Sequence, residues 1–246
     1  MGLLPLDYSD PTHDDSISRT VVNSRHGREG AAFYNLIQLM FSLINASASQ
    51  TSLQGPISAS LDEHEPRDTY WTQLRYRFDR WHSALPPSFQ ADTVLSHEDG
   101  VSDHRLSIFA EEAWFSNSPC AVAMAYYHMA KSLLLIMQPQ SLDLIGGSLD
   151  QGRHFDLLRA YRVLQDELRY HAKQIISIAL GMVDDASRMH MVQPLYVSGR
   201  CLTEMSERRR LAGMLRNINQ ELGVSTEYRI RDLCDEWRIP ISEVLG

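Results

Sequence analysis

The segment "CAVAMAYYHMAKSLLLIMQP", residues 120–139, is the most apolar stretch of this 246-residue chain and decides its fold. Its apolar side chains recur every three or four residues, which is the period of a helix. One stripe consists of Val122, Tyr126, Met129, Leu133 and Ile136. Because proline is not tolerated in a helix interior, the helix is expected to end before Pro139. The segment therefore predicts a central helix that is buried on nearly every side.

Five further segments keep the same helical period. The first has an apolar face of Phe33, Leu36, Ile37, Met40, Phe41 and Ile44. The second has Trp71, Leu74, Phe78, Trp81 and Leu85. A long third segment has Phe155, Leu158, Tyr161, Leu164, Leu168, Ala172, Ile175 and Ile178. The last two stripes are Leu211, Met214, Leu215, Ile218 and Leu222, then Ile230, Leu233, Cys234 and Trp237. We predict the all-α fold class, a multi-helix bundle, since no residue run alternates convincingly enough for a strand.

The organisation of the chain follows from where this period stops. Residues 1–25 mix Asp, Ser, Pro, Thr and His without a sustained period, so we expect a flexible N-terminal arm. Residues 26–246 are expected to form a single all-α domain with a loop near 46–67, which is rich in small polar residues and contains two prolines. Helix starts are expected at Asp68 and Ser206, and Gly223 is expected to close a helix.

The charge and the cysteines restrict the function classes. The chain has 23 Lys and Arg against 31 Asp and Glu, a formal charge of −8, which repels a polyanion and disfavours a free-standing DNA-binding protein. Its three cysteines, Cys120, Cys201 and Cys234, are far apart and lack C-x-x-C spacing. They indicate neither a disulfide framework nor a cysteine-rich zinc site, and a reducing compartment fits them best.

The remaining motifs are few. The sequence contains no G-x-S-x-G, G-x-x-x-x-G-K or H-E-x-x-H, which disfavours hydrolases, nucleotide enzymes and zinc proteases. The start lacks a basic signal region, and the longest apolar run, "SLLLIM", is far shorter than the ~20 residues that span a bilayer. We therefore expect a soluble intracellular protein, nuclear or cytoplasmic. The loop residues His97, Glu98, Asp103 and His104 match no recognised ligand spacing, so no metal and no cofactor is expected.

Two basic groups have both a structural and a functional interpretation. Arg208, Arg209 and Arg210 flank the apolar stripe of their helix and do not form one row, which favours a solvated or ion-paired face over a nucleic-acid surface. Arg75, Arg77 and Arg80 lie among aromatic positions in the second segment. There a charged outer face beside a core stripe is favoured over a base-stacking surface.

A small-molecule pocket is predicted where the central helix meets the long helix. Hydroxyl and imidazole groups on the side chains of an apolar segment must find hydrogen-bond partners, and such groups can also orient a ligand that binds between helices. The candidate ligand-binding residues are Tyr126, Tyr127, His128, Tyr161, Tyr170 and Tyr196. The alternative is that these groups only satisfy one another between packed helices.

Three segments, in this order, resemble the helical regulatory domain of fungal-specific transcription factors of the zinc binuclear-cluster family. They are "YWTQLRYRFDRWHSALPPSF", "WFSNSPCAVAMAYYHMAKSLLLIMQP" and "QPLYVSGRCLTEMSERRRLAGMLRNINQELGVSTEYRIRDLCDEW". The resemblance covers roughly Tyr70 to Trp237. The six-cysteine cluster that binds zinc and reads DNA in that family is absent from this sequence, as is much of the usual N-terminal part of the helical region.

The resemblance implies an all-α regulatory-domain-like bundle that acts in transcription by sensing a metabolite or by contacting proteins. It supplies no catalytic residues. The alternative is a repurposed, cofactor-independent enzyme of fungal secondary metabolism, a cyclase or cycloaddition catalyst that holds its substrate in a helical pocket. The expected partners are a small-molecule ligand or substrate and other proteins, with a homodimer left open. Direct binding of nucleic acid or a membrane by this chain is not expected.

Overall fold

The computed structural model describes residues 14–51, 64–96, 109–137 and 157–245. In chain order the helices are α1 (Asp14–Thr51), α2 (His64–Ser83), α3 (Ser118–Met137), α4 (Leu157–Gly181), α5 (Asp185–Met189), α6 (Val192–Gly199), α7 (Met205–Leu222), α8 (Glu227–Trp237) and α9 (Ile241–Leu245). A single 3₁₀ turn, Pro87–Phe89, and two short strands lie between α2 and α3. The prediction of a mostly helical bundle is confirmed.

Helix α3 forms the centre of the bundle, as its composition predicts. It packs most extensively against α4 and also contacts α1, α2 and α6. Ala123, Ala125 and Ala130 are fully buried, and such small side chains let neighbouring helices approach closely. The stripe predicted from spacing is nevertheless the least buried side of α3, where Tyr126 and Leu133 are only half-buried. The alanine-rich sides of α3 contact the other helices. The spacing of large apolar residues does not identify these sides.

The other apolar stripes are buried to different extents. Trp71, Trp81 and Trp237 lie in the core, as predicted, and the stripes of α7 and α8 are largely buried. In α4 the second half is buried, but Tyr161 in the first half is 62% exposed. The second half is buried because α4 packs there against α3, β2 and α6.

Helix α1 buries only part of the face that was predicted. Leu36 of that face is buried together with Leu39 and Leu43, whereas Phe41 and Ile44 of the predicted face are exposed. Apolar side chains cover more of the surface of α1 than α2 and α3 can bury. One part of that apolar surface therefore remains exposed.

A small antiparallel sheet contradicts the expectation that all elements are helices. Strand β1 (Thr93–Ser96) pairs with β2 (Glu111–Trp114), so that Val94 lies opposite Ala113. Each strand has four residues, which is too short to show a clear alternating pattern. The backbone of β2 packs against Gly181 at the end of α4, where a Cβ atom would lie 2.1 Å from the carbonyl oxygen of Ala113. The loop residues His97, Glu98, Asp103 and His104 lie outside the described residues.

Several helix ends differ from the sequence prediction. Helix α1 begins at Asp14 and ends at Thr51, so it enters both the predicted arm and the predicted loop. Residues 1–13 and 52–63 lie outside the described residues, and the division into an arm and one domain stays a prediction. Helix α2 begins at His64, ahead of Asp68.

In the C-terminal half of the chain, some helix starts and ends are predictable from the sequence and others are not. Glu204, and not Ser206, occupies the cap position of α7, without a side-chain capping bond. Gly223 closes α7 in the left-handed conformation, at φ 70°, as predicted. The long predicted helix instead breaks after Gly181, and Asp184 caps α5 by accepting a hydrogen bond from the Ser187 amide at 2.9 Å.

Candidate functional site

Three of the six predicted ligand residues come together where α3 meets α4. Tyr127 and His128 lie on α3, and Tyr170 lies opposite them on α4. Two histidines that the sequence did not single out complete the group, His82 from α2 and His171 from α4. We call these five residues the histidine cluster.

The centre of the histidine cluster is a direct hydrogen bond between two buried imidazoles. The Nδ1 atoms of His128 and His171 are 2.9 Å apart. One ring must donate its Nδ1–H while the other accepts, so the two neutral rings carry their protons on different nitrogens. Protonation of both rings leaves no acceptor at Nδ1 and breaks this bond. The pair therefore keeps its hydrogen bond only while at least one of the two histidines is neutral.

Aromatic rings enclose the pair from both sides. The Tyr127 ring lies nearly parallel to His82, with centroids 4.7 Å apart, and Trp81 lies 5.5 Å from the same tyrosine. Tyr170 contacts His171 edge to face at 5.2 Å. Trp81, Tyr127 and the two hydrogen-bonded histidines are buried in this aromatic packing. His82 and Tyr170 are exposed and form the surface edge of the cluster.

An ion pair borders the cluster. The Lys131 ammonium lies 2.6 Å from an Asp79 carboxylate oxygen. Lys131 is buried on α3, whereas the Asp79 side chain on α2 is half exposed. The space beside Lys131, which Trp71 and Arg75 also line, measures only about 10 Å³. That volume is too small for a metabolite, since one water alone occupies about 30 Å³ of liquid.

Burial controls the protonation of the histidine cluster. Desolvation, followed by the nearby His171, His82 and Lys131, holds the pKa of His128 well below its usual value. Desolvation and then Lys131 lower the pKa of His171 to about 4. Burial also lowers the pKa of His82 and raises that of the Tyr127 hydroxyl. At neutral pH the cluster therefore offers neutral imidazoles and a neutral phenol, which can exchange hydrogen bonds but carry no charge.

The other three predicted ligand residues lie elsewhere. Tyr126 is half-buried and faces a groove of about 210 Å³ between α1 and α3. Tyr161 lies on the surface of α4. Tyr196 lies beneath the guanidinium of Arg229, which is 4.3 Å from the ring centroid. Helical spacing identified residues that share an apolar stripe, but it did not specify which neighbouring helix each one meets.

A larger cavity, which sequence reasoning missed, lies between α7, α8 and α9. It measures about 300 Å³, and Ile230, Ile241 and Leu245 supply apolar wall while Arg216 and Arg231 supply positive charge. Arg216 donates a hydrogen bond to the Leu245 carbonyl at 2.7 Å. Because its residues come from three separate helices, no local motif marks it.

The three consecutive arginines serve the packing of the C-terminal helices. Arg208 donates to the Leu202 carbonyl at 3.1 Å and lies 5.2 Å from the Trp237 ring centroid. Arg209 donates to the Glu243 carbonyl at 2.8 Å. Arg210 lies 4.8 Å from the ring centroid of Phe109. Their partners are mostly backbone carbonyls and aromatic rings, which the sequence did not predict, and they point in different directions.

Among the described residues, no group of three or more His, Cys, Asp or Glu side chains is placed to hold a metal ion. Two segments of the described helices, Gly27–Ala48 and Ser118–Met137, are long and apolar enough to cross a bilayer. The second is 78% buried inside the bundle, as expected of a core helix, whereas the first is only 22% buried.

Comparison with known proteins links the chain to transcription. It is similar to the transcription activator AMTR1 of Alternaria alternata, with 32% identity over 211 residues. The match covers 82% of this chain and 26% of the activator, so the chain spans about a quarter of the length of that curated relative. No family model matches the chain. No solved structure matches it either. The chain is thus related to a fungal transcription activator, in agreement with the resemblance found in the sequence.

Proposed function

We propose that this chain is a helical module of transcription regulation that acts through metabolite sensing or protein contacts and does not itself bind DNA. The observation that carries the proposal is the 32% identity to a transcription activator across 82% of the chain. A match over 82% of the chain includes helices α2 to α6 wherever it begins, and it is not one short motif. A nuclear location belongs to the same proposal.

The absence of direct DNA binding is proposed from charge and from the arginine contacts. The chain carries a formal charge of −8 and three cysteines, which is fewer than a six-cysteine zinc cluster needs. Arg208 and Arg209 already donate hydrogen bonds to backbone carbonyls. Redirecting them to phosphates would cost the C-terminal packing, so a DNA-binding surface is not favoured there.

For metabolite sensing, the cavity between α7, α8 and α9 is the best candidate. Its volume of about 300 Å³ lies at the lower end of ligand pockets, and it joins apolar wall to two guanidinium groups, the Glu227 carboxylate and the amides of Asn219 and Gln220. That combination suits a small metabolite with an apolar body and several hydrogen-bonding groups. In the histidine cluster a ligand contact by the buried Tyr127 or His128 requires the rings to separate first, because they contact one another closely, whereas Tyr170 is 54% exposed and can be contacted from the surface.

The enzyme alternative is the weaker proposal. A cyclase or cycloaddition catalyst needs a volume that holds the whole substrate beside its hydrogen-bonding groups. The buried rings of the histidine cluster contact one another directly, and the space beside the neighbouring Lys131 is about 10 Å³. Neither the similarity to an activator nor the packing of the cluster favours catalysis over regulation.

A chimera tests the proposed function. The quarter of the Alternaria activator that matches this chain is replaced by the chain, and transcription of a reporter with the activator's binding site is measured. We expect the chimera to regulate the reporter, whereas a deletion of the same quarter does not. As a matched control, Leu215→Asp places a charge at a fully buried position and is expected to abolish regulation with the fold. A chimera no better than the deletion would count against the proposal.

A further inference from the structure

Helix α1 carries a second apolar stripe that faces away from the bundle. It consists of Gly30, Tyr34, Ile37, Phe41, Ile44 and Ala48, and we call it the outer seam. Its four large side chains are 61%, 40%, 57% and 56% exposed, in chain order. By contrast Leu36, Leu39 and Leu43 of the same helix are buried in the core.

The spacing of the outer seam is that of a coiled coil. Its positions follow one another at intervals of four, three, four, three and four residues, the alternation of a and d positions in a heptad repeat. Such a stripe stays in line with a second helix over its whole length. An isolated exposed apolar residue needs no explanation, but a contiguous row over five helical turns indicates a helical partner.

The charge of α1 favours a second copy of the chain as that partner. Residues 31–51 contain no charged side chain. A symmetric pair brings each residue near its own counterpart, where like charges would repel. An uncharged stripe avoids this repulsion, and it offers a charged partner nothing to pair with.

The order of residues specifies an antiparallel arrangement. If two outer seams run antiparallel, Tyr34 lies opposite Ile44 of the second copy, and Ile37 lies opposite Phe41 of that copy. Gly30 then lies opposite Ala48, and all three pairs are symmetric about position 39. Each aromatic residue then lies opposite an isoleucine, and the two small residues lie opposite each other at the ends. The two central pairs therefore have similar total side-chain volumes. A parallel pair would place Tyr34 and Phe41 against their own copies.

A groove runs along the seam on the side of α3. It has a volume of about 210 Å³ and lies between α1 and Tyr126 of α3, and Ile37, Phe41 and Ile44 of the seam line it themselves. An apolar cavity of roughly 150 Å³ accommodates a benzene ring. Protruding rings and a groove of suitable size therefore lie on the same face, as a two-fold interface requires.

We propose that two copies of this chain associate through antiparallel pairing of the outer seams of α1. The exposed surface of the four large side chains amounts to roughly 400 Å² per copy, about half of what each partner buries in a standard stable interface. We therefore expect a weak and reversible dimer.

Dilution measurements test the association. Sedimentation velocity of the full chain is expected to show a monomer–dimer equilibrium that shifts with concentration. Phe41→Glu places a charge in the seam and should weaken dimerisation at least ~10-fold, the effect of one unfavourable buried charge. Asn35→Glu adds the same charge at an exposed position outside the seam and should leave the equilibrium unchanged. Equal thermal unfolding temperatures would show that both variants are folded.

Cysteine crosslinking tests the orientation. Ile37→Cys and Phe41→Cys chains, both in a Cys201→Ser background, are mixed and oxidised, one of them with a mass tag. Antiparallel pairing predicts mainly crosslinks between the two different variants, whereas crosslinks within each variant would overturn the proposed orientation. A chain that stays monomeric at all concentrations would overturn the proposal. Flotation of the chain with phosphatidylcholine vesicles is a second check. If the monomer floats with the vesicles and Phe41→Glu abolishes this binding, the seam contacts lipid and the proposal is also overturned.

Discussion

Acid should destabilise this protein through the histidine pair at the α3–α4 contact. The pKa of His171 is lowered to about 4 in the folded chain, mainly by burial, against an ordinary value of about 6.5. Between these two values the unfolded chain binds more protons than the folded chain. The free energy of unfolding therefore falls as the pH falls below about 6.5.

The size of this loss of stability follows from how far burial lowers the pKa of His171. From pH 7 to pH 5, His171 alone should cost about 2 kcal/mol of stability, since each pKa unit corresponds to about 1.4 kcal/mol. His128, whose pKa burial also holds well below its usual value, adds to this loss. Protonation of both rings also removes the acceptor in the 2.9 Å bond between the two Nδ1 atoms.

Urea denaturation at pH 7 and pH 5 measures this effect. His171→Asn keeps a hydrogen-bonding amide near the Nδ1 position but cannot titrate, so its loss between the two pH values should be smaller by about 2 kcal/mol. His190→Asn makes the same substitution at an exposed histidine and serves as the control for the loss of an imidazole. If His171→Asn and the parent lose equal stability on acidification, the burial argument for this pair is wrong.

Three further predictions concern packing and DNA. Trp237→Ala should lower the free energy of unfolding by about 3–5 kcal/mol, measured by urea denaturation, because it empties a core position and removes the indole bond to the Gly199 carbonyl at 3.0 Å; a change near zero would contradict the core assignment. Gly181→Ala should cost about 1–3 kcal/mol in the same assay, because the added methyl meets the Ala113 carbonyl at 2.1 Å, whereas Gly213→Ala has open space and should not destabilise. The purified chain should show no sequence-selective DNA affinity at physiological salt by fluorescence anisotropy, and selective binding that Arg209→Ala abolishes would refute the interpretation of the three arginines.

The sequence predicted the helices with large, regularly spaced core residues. Trp71, Leu74 and Phe78 identify α2, and Ile230, Leu233 and Trp237 identify α8, because one apolar stripe on a polar helix has only one face to bury. Gly223 ended α7 for an equally local reason, since glycine adopts the left-handed conformation without strain.

Helices with two apolar faces could not be assigned in the same way. In α1 the spacing of Phe33, Ile37 and Phe41 is as regular as that of Leu36 and Leu43, so the pattern alone does not decide which face enters the core. The strands β1 and β2 were missed because four residues carry too little pattern.

The candidate site was predicted only in part for a related reason. Tyr127 and His128 were recognised because polar tips in an apolar helix need partners. His171, the actual partner of His128, lies 43 positions later in the chain on a different helix. No local spacing connects the two, and the contact depends on how α3 crosses α4.

Reporter transcription with a tethered chain tests the proposed regulatory function most directly. The full chain is fused to a heterologous DNA-binding domain in a fungal host and compared, at matched protein levels, with that domain alone and with the Leu215→Asp fusion. We expect the folded chain to change transcription of a reporter that carries the heterologous site, and the Leu215→Asp fusion to behave as the DNA-binding domain alone. A folded, nuclear fusion that leaves transcription unchanged in every growth condition would contradict a role in transcription regulation.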